Sequence, residues 1–175
     1  MPRHDDSHGR CQQLAASLDL PHPFELTRFT DRLAALRGRP LLLVPTRDMA
    51  LGNLCGMWMA TATNDYVFYE QDTSAVHQRH IVLHEIGHIL LRHTGTPTAS
   101  KTTDPAAPDG TAPERVMGRD SYDDQEEYEA ELFASLVLAR IEVPHATSQA
   151  EHSRLDAVTR SIGRTEAVSP QPEGR

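Results

Sequence analysis

The pentapeptide His84-Glu85-Ile86-Gly87-His88 has the residue types and spacing of a hydrolytic metal site. On a helix, histidines at i and i+4 share one face about 6 Å apart along the axis. Both imidazoles can then reach a single ion at roughly 2.0–2.1 Å. Glu85 is turned about 100° away from His84, close to the ion but outside the ligand row. A carboxylate there can take a proton from a water that the metal has made acidic, its pKa lowered from roughly 15.7 towards about 7. Gly87 in mid-helix costs about 1 kcal/mol relative to alanine. Its presence implies a neighbour packed too close for a side chain.

A catalytic zinc takes three protein ligands and leaves its fourth position open, so a third donor must come from elsewhere in the chain. The acidic segment Asp123–Glu131 leads into the next apolar helix. Acidic residues suit a helix N-terminus in any protein, but here Glu127 and Glu131 share one face, with small Ala130 and Ala134 beside them to let two helices approach. Glu127 is expected to be the ligand and Glu131 the carboxylate that holds an imidazole N–H. His80 extends the histidine row but lies about 12 Å from His88 along the axis, too far to share its ion, and is expected to make a polar contact or be exposed. His77 and His93 read as surface residues near the helix ends. Tyr66, Tyr69, Tyr122, Tyr128 and His145 are candidate oxyanion donors among which spacing does not choose. Cys11 and Cys55 have no ligand spacing and are expected to be free thiols.

These residues need a scaffold. A long helix is expected over 75–93, capped by Asp72-Thr73-Ser74 and ended by Gly95. A second, over 122–139, should turn Leu132, Phe133, Leu136 and Val137 inward. Upstream, a short helix is expected over 11–18 and another over 24–37, with Leu26, Phe29, Leu33 and Leu36 as its buried stripe and Gly38 as its stop. Apolar runs at 41–44, 54–63 and 66–70, the last two flanking an Asn64-Asp65 turn, predict a three-stranded antiparallel sheet. The fold class is therefore α+β, a small sheet packed on the histidine helix. Residues 1–10 read as disordered, 11–145 as one domain, and 94–118 as a flexible loop rich in Pro, Gly, Ser and Thr. Beyond it, 147–162 reads as a weak helix within a terminal region, 146–175, that ends in a disordered tail.

Composition narrows the function. A formal net charge of −8 disfavours direct nucleic-acid binding, which runs on positive surface. No apolar stretch approaches the roughly 18 residues of a membrane helix, and Met1–Arg10 leads into no signal-like apolar run. A cytoplasmic location is the resulting expectation.

The H-E-I-G-H motif, followed some forty residues on by Glu127-Tyr128-Glu129-Ala130-Glu131-Leu132-Phe133-Ala134, resembles the ImmA/IrrE family of metallo-endopeptidases. The E-x-x-A element is similar to that of gluzincins, whose first glutamate is a metal ligand, and this favours Glu127 over Glu129. The resemblance implies a minimal gluzincin-like fold and a zinc endopeptidase of narrow specificity, with Glu85 as base. It also implies a protein substrate, a helix-turn-helix transcriptional repressor whose loss releases stress-response or mobile-element genes. Zinc suits a His₂Glu set, with manganese as the second candidate. Substrate is expected to pair with an exposed edge at Tyr66–Glu70. The alternative function is a metal-stabilised module that sequesters its partner without cutting it.

Overall fold

A computed structural model describes residues 4–47, 55–95, 107–118 and 121–142. They form an α+β fold in the order α1 (His4–Ser17), α2 (Leu26–Arg37), β1 (Leu41–Thr46), β2 (Gly56–Ala60), β3 (Asp65–Glu70), α3 (Ala75–Leu91), β4 (Arg115–Gly118) and α4 (Asp124–Glu142). All lie in one compact unit up to Ile141, apart from the last residue of α4. Among the described residues no helix is long and apolar enough to cross a membrane.

The sheet departs from expectation. It has four strands in the order β1-β3-β2-β4, with β1 parallel to β3 and the other pairs antiparallel. The extra strand, β4, falls inside the segment expected to be a flexible loop. Its short apolar pair, Val116-Met117, is too brief to show periodicity, yet pairing with β2 buries both side chains. Because β3 is clasped by β1 and β2, Tyr66–Glu70 is central and has no free edge for a substrate. Pro45 fits β1 because an edge strand can spare one N–H. The hairpin turn also shifts: Thr61 N–H donates to the Asn64 carbonyl, and Asp65 already belongs to β3.

Alternation in β3 divides the interior. Val67 and Tyr69 face a helix-covered core with Phe29, Leu33, Leu83, Ile86 and Phe133, whereas Tyr66 and Phe68 join Met57, Met59 and Val116 on the opposite face. In α2 the inward row is Phe29, Thr30 and Leu33, and Leu36 stands 79% exposed rather than completing the stripe. Gly38 stops that helix in the left-handed conformation, φ 65°, which glycine adopts without steric cost. The N-terminal segment is not disordered from residue 4 onward. It is the start of α1, because Ser7 and Cys11 find buried partners on α4. Residues 146–175 and His145 lie outside the described residues.

One polar knot ties α2 to the sheet. The buried Asp65 carboxylate accepts from Arg37 at 2.7 Å and from the Trp58 indole at 3.2 Å, and is ion-paired with Arg39 at 3.1 Å. Removing one member of such a set leaves buried charge unpaired. Asp65→Ala is therefore expected to cost about 3 kcal/mol, lowering the thermal midpoint by roughly 10 °C, which a melting curve would read.

Candidate metal centre

Helix α3 is apolar on most of its circumference, with Ile81, Val82, Leu83, Ile86 and Ile89 all buried, as befits a helix covered on several sides. It is started by Ser74, whose hydroxyl accepts from the His77 backbone N–H at 3.2 Å. It ends at Arg92, left-handed with φ 59°, rather than at Gly95. Gly87 meets α4 closely: a Cβ there would lie 3.2 Å from Ala130 Cα and 3.1 Å from the Phe133 ring. The missing side chain is what lets the two helices touch. Gly87→Val would force its methyl groups into the α4 backbone, and overpacking of this kind costs about 1–3 kcal/mol. Both the melting temperature and metal affinity are expected to fall, the second because Glu127 rides on α4.

That contact brings His84, His88 and Glu127 together, with one donor atom from each within 4.8 Å of the others. The separations are 3.0 Å between the two Nε2 atoms, 3.5 Å from His84 Nε2 to Glu127 Oε2 and 3.8 Å from His88 Nε2 to Glu127 Oε1. Ligands at 2.0–2.1 Å around a tetrahedral ion stand roughly 3.3 Å apart, so the set fits a small divalent cation. Glu127 Oε1 and Glu85 Oε2 are buried without a hydrogen-bond partner, a state that ordinarily costs free energy and asks for an unseen partner. Two neutral nitrogens and a carboxylate suit zinc.

The surroundings sort the protonation states. Burial, reinforced by His84 and His93, pushes His88 down to about 2, so it stays neutral as a ligand must. Burial also works against charge on His84, but its hydrogen bond to Glu127 and the charges of Glu85, Glu127 and Glu131 outweigh this and raise it. Glu85 is pushed up to about 8, first by burial and then by Glu127, with His84 opposing. Its position depends on Gly56 at the start of β2, where a Cβ would fall 2.7 Å from Glu85 Oε1. The Glu85 carboxyl occupies the space that a side chain would fill.

A cavity of about 480 Å³ opens over these groups, with His80, Asp124, Tyr128 and Glu131 on its walls. Glu131 stands beside His84, its Oε2 3.6 Å from Nδ1, but its hydrogen bond goes to His80 Nε2 at 2.9 Å. His80 is thus a polar contact, and His77 is exposed. Among the tyrosines, Tyr66 reaches Asn64 on the far face of the sheet and Tyr69 packs against the helix-covered core. Tyr122 stacks on the His88 ring with centroids 3.5 Å apart. Its buried hydroxyl has no hydrogen-bond partner. Burial, then the charges of Glu85, Glu126 and Glu127, raises the Tyr122 phenol far above its ordinary range. It therefore keeps its proton and can donate a hydrogen bond.

His93 overturns its reading as a surface residue. The left-handed Arg92 swings the chain back, and His93 is only 7% exposed. Its Nδ1 lies 2.9 Å from His88 Nδ1 and its Nε2 3.3 Å from Glu129 Oε2. Ser7 and Gln125 donate to the other oxygen of Glu129 at 2.6 and 3.0 Å. Burial opposes charge on Glu129, but these hydrogen bonds outweigh it and hold its carboxyl below the usual range. Gly56 and Ser7 did not stand out in the sequence, and Glu129 figured there only as the alternative to Glu127. Cys11 and Cys55 are unpaired thiols, as expected.

Compared with models of protein families, with characterised proteins and with solved structures, the chain shows no match to any of them.

Proposed function

We propose that this protein is a metal-dependent endopeptidase, similar to the ImmA/IrrE family and with a minimal gluzincin-like arrangement, in which His84, His88 and Glu127 hold a zinc ion. The observation that carries the reading is the convergence of three ligand atoms beside the buried Glu85 carboxyl, whose Oε2 has no hydrogen-bond partner. Bound there, zinc would act as a Lewis acid on a peptide carbonyl and make a nearby water acidic at neutral pH. Glu85 takes up the proton that this water loses and passes it to the leaving amine. Burial pushes this carboxyl up to about 8 in the metal-free protein, and the charge of a bound cation would draw it back towards the ionised form that a base needs. His88 stays neutral and keeps a lone pair for the ion. The apolar wall at Ile81 and the acidic wall at Asp124 and Glu131 shape the cleft for a peptide.

A substrate peptide would lie in the cavity over Glu85, between Ile81 on α3 and Tyr128 on α4. The net charge of −8 complements a basic partner, and a helix-turn-helix repressor in the cytoplasm is the substrate class we infer. Co-incubation with such a repressor tests this. Fragments that vanish with chelator and return with zinc are the expected result. A stable complex without fragments would favour sequestration and overturn the peptidase.

A further inference from the structure

The metal site needs His88 in one tautomer, with its proton on Nδ1 and a lone pair on Nε2. The surrounding hydrogen bonds impose that choice. Gln125 Nε2 can only donate, and it lies 3.0 Å from Glu129 Oε1, which also accepts from Ser7 at 2.6 Å. The other oxygen of this carboxylate, Oε2, is 3.3 Å from His93 Nε2, so that nitrogen carries the proton. A neutral ring protonated on Nε2 has a bare Nδ1. In His93 that bare nitrogen lies 2.9 Å from His88 Nδ1. His88 must therefore donate from Nδ1, which leaves its Nε2 free toward His84 and Glu127.

We propose that Glu129 and His93 are positioning residues, forming a two-step relay anchored by Ser7 that holds His88 ready to bind the metal. The relay joins α1 to the centre of the fold, since Ser7 and Glu129 are 122 positions apart in the chain. Its members are buried: Ser7, His93 and Glu129 are 1%, 7% and 6% exposed. Glu131, by contrast, has a side chain 55% exposed and is occupied by His80. A buried acceptor holds its donor in place because water cannot substitute for it. Without His93, the Nδ1–H of His88 would lose its acceptor in a site too buried for solvent to replace it. The ring would then turn or move its proton to Nε2, where it blocks ligation.

The proposal rests on the metal reading above, but its test does not need proteolysis. Long-range ¹H–¹⁵N correlation spectra of the metal-free protein should show His88 protonated at Nδ1 and bare at Nε2. Zinc affinity, measured by competition with a chromophoric chelator, should weaken about 10–100-fold in His93→Phe. In His93→Asn the side-chain oxygen takes the place of Nδ1 and still accepts from His88, so affinity should stay within about threefold of the parent. A wild-type His88 protonated at Nε2 would overturn the relay, as would equal losses in both variants or undiminished affinity in His93→Phe. Should His93→Phe not fold, the wild-type tautomer and His93→Asn still decide. If cleavage is never found, these readings are unaffected. If the relay fails while zinc still binds, the peptidase reading survives.

Discussion

Glu85→Gln is expected to abolish peptide hydrolysis, with kcat falling about 10²–10⁴-fold, the range supplied by a positioned acid–base group, while zinc remains bound. Glutamine fills the same space beside Gly56 but cannot accept the proton of the attacking water. The same substitution should act in the opposite direction on stability. Burial raises the Glu85 carboxyl from an ordinary 4.5 to about 8, so the native metal-free protein holds a proton that the unfolded chain releases. Below pH 4.5 both states are protonated and there is no penalty. As the pH rises towards 8 the unfolded state gains an ionisation that the native state lacks, and stability is lost. By pH 7 the loss is at most about 3 kcal/mol, and Glu85→Gln should recover much of it. Thermal melts of the metal-free proteins would show the variant melting higher at pH 7 and level with the parent at pH 4.5. Retained hydrolysis would refute Glu85 as the base. Equal melting at pH 7 would refute its strained burial.

The part of the site written in one helical turn was legible beforehand. The spacing of His84 and His88 fixes their relation whatever the rest of the chain does, and Gly87 announced a close neighbour that proves to be Ala130. Glu127 required an assumption about packing, and its side chain does lie beside the two imidazoles. What failed were readings that depend on partners distant in the chain. His93 follows a helix end, where histidines are usually solvated, and only the left-handed turn at Arg92 and the carboxylate on α4 make it interior. Ser7 sits in a polar stretch with no apolar period, so its burial against Glu129 leaves no local trace. The sheet miscount has the same origin, because β4 takes its order from hydrogen bonds to β2 rather than from its own four residues. Alternation along β3 was readable because Val67 and Tyr69 face one core and Tyr66 and Phe68 the other. Its central place was not, because strand order is a property of the assembled sheet.

Glu127→Ala should separate the metal site from the fold. The two histidines are held by one rigid helix, but two donors leave an ion with half its shell to water, whereas the third donor makes the site a cage. Loss of a group that only orients a ligand costs about 10–100-fold in affinity, so loss of a ligand should exceed about 100-fold. The metal-free protein should hardly notice. Glu127→Ala gives up the Oε2 contact with His84 at 3.5 Å but also deletes Oε1, which is buried without a hydrogen-bond partner and carries a desolvation penalty. The two effects oppose, so the melting temperature without metal is expected to change little, while the shift that zinc adds to the parent disappears in the variant. Glu131→Ala supplies the contrast. Its carboxylate is engaged by His80 at 2.9 Å and stands 3.6 Å from His84, so its removal should cost less than tenfold, the lower end for an orienting group. If the two alanine variants lose affinity equally, or if Glu131→Ala loses more, the third ligand has been misassigned. Chelator competition with zinc on the two proteins decides between them.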